Sequence, residues 1–527
     1  METSISARRR ETYYLSILVL LNLLIKIIPA AILELGNDEV YYWTYALFPD
    51  WSHFDHPPMV GLLIQLFTFN LHLHGEFFIR LGALILSSAS IFILFYLVKR
   101  VFSSRAAWFA VIMFISSFYF NIISGLFMLP DTPQVFFVVL ALYFLLPSVT
   151  SPNPGRKEIS NFILFGFFTG LAFLSKYHSL FLWAGAGLYI LIKNRIWLKK
   201  PGFYLSIIVT LILMIPVFYW NYKNNFISFT FHENRVGLFH SHINPVSFSQ
   251  FNFGEMFYQN PVLFVLFIIA TIRILIKKKP DINQADILLL ITGIPLIVIF
   301  TLFSLFHTTL PHWTGPAFIC FIIITAEYLA NMYNLKRKAV IRILSLALIL
   351  FVAVLVTGTL QIETGFISIG KNQKYDHTGK NDFTLDMYGW KQAREGFEDY
   401  LSREGISKGS LKNTVIISDN WFPAAHIDYY IAYPLGIRLI ALGNIERIHK
   451  YYWIDRRRGL KKTDRIFYIT DSRNFHSPDQ FRSCFSSIIP ADTIVINRNK
   501  KPVKYIYIYK MNDFSCDSIP NSPHVFF

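Results

Sequence analysis

Residues 14–33 read YLSILVLLNLLIKIIPAAIL, and 34–43 continue ELGNDEVYYW. The first twenty carry one charge, Lys26. At about 1.5 Å per residue, that length crosses a hydrocarbon core of about 30 Å as a helix. The abrupt change at Glu34 then sets carboxylates at the end of a membrane span. Carboxylates in such a place are costly to desolvate and mark functional sites.

Ten further apolar blocks follow, at 77–98, 106–128, 133–147, 161–175, 178–192, 203–220, 260–276, 286–306, 314–331 and 341–360. Hydrophobic residues make up 54% of the 527 and charged residues only 16%. This excludes a soluble globular enzyme and a disordered chain. Three Cys exclude a disulfide framework. The reading is a polytopic α-helical membrane protein with about eleven spans, followed by a C-terminal external α/β domain. The domains divide as 1–361 and 362–527.

The net charge of +16 follows topology rather than nucleic acid. Of 25 Lys and Arg in 1–361, twenty fall in alternate connections: Arg8, Arg9 and Arg10; Lys99, Arg100 and Arg105; Arg156 and Lys157; Lys193, Arg195, Lys199 and Lys200; Arg273 with the lysines at 277–279; and Lys336, Arg337, Lys338 and Arg342. Cytoplasmic loops carry such an excess. The expected N-terminus is cytoplasmic, in the cell inner membrane, and an odd span count puts 362–527 outside. An uncleaved first span fits better than a signal peptide, because the block is long and lacks a small-residue cleavage site. Lys26, Arg80, Lys176, Lys223 and Arg235 depart from the pattern. Four of them, Arg80, Lys176, Lys223 and Arg235, lie in or beside external connections and read either as ordinary exceptions or as cations that serve an anionic lipid or phosphate.

Candidate chemistry sits in the external connections. Asp38 and Glu39 follow the first span, and either a helix cap or a functional carboxylate accounts for each. The aromatic-rich stretch 39–47 reads as an amphipathic helix along the interface. Phe54-Asp55-His56-Pro57-Pro58 is a turn that opens a second interfacial helix, its amino end suited to anions. Asp131 lies between Pro130 and Pro133. Ser175-Lys176-Tyr177-His178-Ser179 is a polar knot within apolar sequence, where Lys176 is either an anchor or a phosphate ligand. His307 and His312 flank a further connection. The histidines lack metal-ligand spacing, so no metal is assigned.

These residues resemble the GT-C glycosyltransferases, in particular bacterial members of the protein-mannosyltransferase-like and lipid A aminoarabinose-transferase-like group (glycosyltransferase family 39/83-like). The Asp38-Glu39 pair, Phe54-Asp55-His56-Pro57, the Arg80 step in Phe78-Ile79-Arg80-Leu81-Gly82, Ser175-Lys176-Tyr177 and Trp220-Asn221 carry the likeness, which covers about 1–330. The resemblance implies an inverting, metal-independent transferase with no cofactor. Its donor would be a polyprenyl-phosphate-linked sugar, with hexosyl or pentosyl transfer both open. The acceptor would be a lipid such as lipid A, a protein or another glycan; the partners are membrane lipids and no nucleic acid. Asp38 matches the general base; Asp131, an external acid outside the matched motifs, is read from its own setting as a second catalytic carboxylate. Glu39, Asp55, His56, Arg80, Lys176 and Tyr177 are the expected donor and phosphate ligands. His56 stands where aminoarabinose transferases carry a Lys, and a neutral His is a weaker anion partner.

Displacement of a lipid phosphate needs a base on the acceptor and cations or dipoles at the leaving group, and these acids and cations supply both. Two other classes compete. A proton-coupled membrane transporter would use the same acids and His as a relay. It would place them mid-span and show a hydropathy repeat; the sequence does neither. A scaffold with an external interaction domain is the third class.

In 362–527, runs at 414–418, 465–470, 493–497 and 504–509 read as strands, and 389–404 and 421–431 as helices. Arg456, Arg457 and Arg458 with Lys461 and Lys462 form a basic cluster, which reads as a solvated face or a contact with anionic lipid. Cys484 and Cys516 are expected outside, where a bridge or two free thiols are both open. Cys320 reads as an apolar filler.

Overall fold

A computed structural model describes residues 2–236, 242–276, 282–370, 377–461 and 464–516. The lysines at 277–279, Lys462 and the Arg235 side chain lie outside the described residues. The chain divides into two compact units, 1–30 with 50–355, and 31–49 with 356–527.

The first unit is helical. Among the described residues, six helices are long and apolar enough to cross a membrane, and a bent pair makes up to seven. The expected count of about eleven spans is not reproduced by this measure: block 161–175 lies in Arg156–Phe173, 178–192 in the 13-residue Phe181–Lys193, and 106–128 is α-helical only over the 13 residues Ser104–Ser116, then a π turn at Tyr119–Ile123 and irregular chain to 128. The Pro201–Lys223 helix turns Ile208, Leu211, Ile212, Ile215 and Phe218 outward. An exposed aliphatic face of that extent fits hydrocarbon, not water.

Breaks in the helices have local causes. Between Pro245–Tyr258 and Pro261–Leu275 the axis turns by 97°. Asn260 there adopts φ 71°, and Pro261 cannot continue the preceding helix. The Asn260 side chain secures the corner by donating to the Ser116 and Ala347 carbonyls, both at 2.9 Å. The block at 314–331 starts in a 3-10 turn, Pro311–Ala317, and its remainder lies with 341–360 in one element, Phe318–Thr364, interrupted at Lys336 (φ −135°, ψ 50°).

Small residues let the helices approach. A β-carbon at Gly185 would fall 2.3 Å from Thr292 Oγ1, and one at Gly166 would fall 2.3 Å from the Ser206 carbonyl. Close backbone contact of this kind replaces the hydrophobic driving force that lipid does not provide.

The second unit is built on a five-stranded sheet, with β1 Thr414–Ser418, β2 Arg438–Ala441, β3 Arg465–Asp471, β4 Phe485–Arg498 and β5 Lys501–Phe514. The order is β2-β1-β3-β5-β4. β1 pairs in parallel with β2 and β3, while β3–β5 and β5–β4 are antiparallel. The helix Trp390–Arg403 packs Ala393, Phe397, Tyr400 and Leu401 inward on the expected 3.6-residue period. Cys484 and Cys516 are joined, their Cα atoms 4.9 Å apart. Asp517, beyond them, lies outside the described residues.

The expected interfacial helix at 39–47 is a correction. A helix does form, Asn37–Leu47, but residues 39–46 are all buried. Trp43 sits edge-on to Tyr429 and Tyr433, and Tyr41 meets Trp421 at 5.0 Å. Its aromatic residues face protein, which an apolar pattern alone does not distinguish from lipid. The basic cluster is also partly structural. Arg458 donates to both Asp428 oxygens, at 3.1 and 2.8 Å, and to the Leu439 carbonyl at 2.8 Å.

Candidate active site

Asp131 opens the helix Asp131–Val149, with Pro130 before it and Pro133 in the first turn, where a missing amide hydrogen costs nothing. Lys176 lies just beyond the helix Arg156–Phe173 in an extended conformation (φ −158°, ψ 130°). The two side chains meet: Lys176 Nζ donates to Asp131 Oδ2 at 2.8 Å. The Tyr119 hydroxyl donates to the other oxygen, Oδ1, at 2.9 Å. Asp131 is 2% exposed and Lys176 4%, so the pair is desolvated and sensitive to the loss of either partner.

A second segment closes on this pair. The turn at 53–56 is tied by the His53 amide to the His56 carbonyl at 3.2 Å, and the Met59 amide reaches the Leu174 carbonyl at 3.1 Å. The helix Ile227–Val236 holds the turn from the other side: Ser228 Oγ donates to the His53 carbonyl at 3.1 Å, and His232 Nε2 bonds the Asp55 carbonyl at 2.9 Å. The His232 ring stands 5.4 Å from Tyr177 and 6.5 Å from His56.

His56 is partly exposed, but its Nδ1 is sealed from solvent. Desolvation lowers its pKa to about 3, more than the Asp55 charge restores. It is therefore neutral near pH 7, a hydrogen-bonding group rather than a cation. The Tyr177 hydroxyl faces Ser52, Ser228 and Asn221, and burial raises its pKa to about 12, so it stays a phenol. One turn past Asp131, the Gln134 amide nitrogen lies 3.0 Å from His178 Nε2 and donates to Ser179 Oγ at 2.8 Å.

The structure thus gathers Asp131, Lys176, Tyr177, Asp55 and His56. Arg80 is committed to the end of the first helix. It is fully buried, donates to the Ala30 carbonyl at 3.2 Å and lies 5.4 Å from the Phe127 ring. Asp38 and Glu39 belong to the second unit. Asp38 is exposed in the first turn of Asn37–Leu47. Glu39 is buried and accepts the Gly36 amide at 3.1 Å, which caps its own helix.

Tyr119 and His232 were not legible in the sequence. Tyr119 sits in the aromatic run 118–120, and His232 follows an alternation of aromatic and hydroxyl residues. Neither shows the polar interruption that singled out Lys176.

Three kinds of likeness accompany this geometry. A family model described as dolichyl-phosphate-mannose-protein mannosyltransferase matches residues 55–220, which contain Asp55, His56, Arg80, Asp131 and Lys176. Lipid A galacturonosyltransferase RgtD of Rhizobium johnstonii is 21% identical over 320 residues, 60% of this chain; the chain spans 64% of that relative's length. ArnT from Cupriavidus metallidurans in the apo state superposes with a TM-score of 0.60 at 14% identity, over 94% of this chain and 98% of ArnT. The same protein bound to undecaprenyl phosphate gives a TM-score of 0.61 at 14% identity and the same coverage. With its apolar helices, its C-terminal sheet unit and this likeness over nearly its whole length, the chain is a multi-pass membrane protein of the GT-C glycosyltransferase fold.

Proposed function

We propose that this protein transfers a sugar from a polyprenyl-phosphate-linked donor to a hydroxyl or phosphate of a lipid, protein or glycan acceptor outside the membrane. The observation that carries the reading is the buried Lys176, held in place by Asp131 and Tyr119 within an apolar helical unit. A lysine confined at such a site suits a phosphate whose charge grows as it departs. The names of similar proteins support the same class: ArnT was crystallised with undecaprenyl phosphate, and RgtD is a lipid A galacturonosyltransferase.

In this reading the acceptor oxygen attacks the anomeric carbon as the bond from that carbon to the phosphate oxygen breaks. The electron pair leaves with the phosphate, and the sugar inverts. Asp38, on the exposed side of the first turn of Asn37–Leu47, takes the acceptor proton. Lys176 faces the developing phosphate charge, and neutral His56 and Tyr177 offer hydrogen bonds to it. Asp131 serves chiefly to orient Lys176. Residues 1–361 form the membrane-embedded part and 362–527 an external domain, with the N-terminus cytoplasmic, as the Lys and Arg distribution implies.

Purified full-length protein in nanodiscs, given radiolabelled polyprenyl-phosphate sugars and candidate acceptors, tests the proposal. The expected result is release of polyprenyl phosphate with label moved to the acceptor. Failure to consume any such donor across a panel of sugars would sink the reading.

A further inference from the structure

Lys26 lies inside the first helix, Glu2–Ile32, and is fully buried. It makes no ion pair among the described residues. Its ammonium donates to Ser87 Oγ at 2.7 Å and to the Gly125 carbonyl at 2.9 Å. A charge within an apolar span is costly, and such residues are kept for a task. One turn earlier, Asn22 exchanges two amide hydrogen bonds with Asn121, at 3.2 and 2.7 Å.

Both partners, Asn121 and Gly125, belong to one irregular segment. Residues 119–123 form a π-helical turn, and a turn at 124–126 follows it. π turns are rare and recur at functional sites. This one carries Tyr119, whose hydroxyl holds Asp131 Oδ1. The Tyr119 ring is confined as well: a β-carbon at Gly315 would fall 2.1 Å from its Cζ.

We propose that Lys26 and Asn22 are positioning residues for the transfer reaction: they clamp the π turn that presents Tyr119 to Asp131, and so fix Lys176 at the donor phosphate. The proposal rests on the function given above, since it concerns the rate of that reaction. Its chain of contact runs from Lys26 to Gly125, through the turn to Tyr119, and from Tyr119 to Asp131 and Lys176. Lys26 acts through these residues and touches no substrate.

A double-mutant cycle in nanodiscs tests it. Lys26→Met and Tyr119→Phe are each expected to lower kcat about tenfold to a hundredfold, the range that misplacement of a reacting group produces. The donor KM should change less than kcat. The double variant should be no slower than the slower single, because both changes release the same carboxylate. Lys26→Gln, which retains a shorter amide donor, should lower kcat less than Lys26→Met. Multiplicative losses in the double variant, or a Lys26→Met enzyme with unchanged kcat, would overturn the proposal. Hydrogen exchange separates this from a failure of the reaction itself. Even if the wild type transfers no sugar, Lys26→Met or Lys26→Gln should speed exchange at amides 119–126 over the rest of the bundle, with Met the larger effect. Unchanged exchange there, or a uniform rise across all helices, would refute the clamp independently of activity.

Discussion

Glu34 and Trp390 stand 356 positions apart, yet the Glu34 carboxylate accepts the Trp390 amide at 2.7 Å and the Lys391 amide at 3.0 Å. A residue at the end of the first apolar block therefore caps the helix Trp390–Arg403 of the second unit. Burial raises its pKa, and the two amides oppose that rise. Glu34→Ala removes the acceptor of the buried Trp390 amide and of the part-buried Lys391 amide. We expect a loss of about 1–3 kcal/mol, chiefly from the Trp390 amide, read as a lower thermal midpoint, with Glu34→Gln losing less.

His426 supplies a pH dependence in the same unit. It stacks on Trp390 at 4.3 Å, and its Nε2 lies 2.8 Å from Asn37 Oδ1. Burial, aided by Lys504 and Arg473, holds its pKa well below 6.5. The unfolded chain thus binds the proton first. The stability from neutral His426 is complete above about pH 6.5 and falls by up to about 1.4 kcal/mol per unit below it. Thermal melts from pH 8 to 5 should show this slope, and His426→Phe should flatten it.

Asp38→Asn, which keeps the size and the hydrogen-bonding oxygen of an exposed side chain, is expected to leave the protein folded and to cut transfer by about 10²–10⁴. Turnover like the wild type's in a well-folded variant would remove Asp38 from the role of base.

Lys176 and Asp131 should differ in kind. Lys176→Gln is expected to raise the donor KM while leaving the acceptor KM nearly unchanged. Equal effects on both constants would argue against a phosphate contact. Asp131→Leu strands a buried ammonium, so we expect about 3–5 kcal/mol of lost stability as well as lost activity.

The bond between Cys484 and Cys516 predicts one reactive thiol, Cys320, in unreduced denatured protein. Three would exclude the bridge. Reduction should lower the stability of the second unit by roughly 3–4 kcal/mol on a loop-entropy estimate.

Composition and periodicity exposed much of this fold. Twenty-residue apolar blocks have few alternatives to spanning helices, and the expected strand at 414–418 and helix near 389–404 match Thr414–Ser418 and Trp390–Arg403. The strand expected at 493–497 is the end of a longer one, Phe485–Arg498, whose early part alternates weakly. The four residues of Arg438–Ala441 are too few for a periodic signal. Within the candidate site, Asp131 and Lys176 stood out because polar groups interrupt apolar sequence there. Their mutual pairing was not readable, since it depends on how the start of one helix packs against the extended residue beyond another. Residues 39–47 misled for a related reason: an aromatic-rich helix looks alike whether lipid or protein covers it.

The discontinuity of the second unit has a consequence for biosynthesis. Residues 31–49 leave the ribosome early, but their partners begin at 356. At about 5–20 residues per second, synthesis of the intervening chain takes roughly 15–60 s. For that interval Tyr41, Trp43 and Tyr45, all buried in the finished protein, lack the surfaces that cover them. The nascent chain must keep this aromatic segment from other partners until the C-terminal sheet is made. Truncation near 361 would leave it permanently without them.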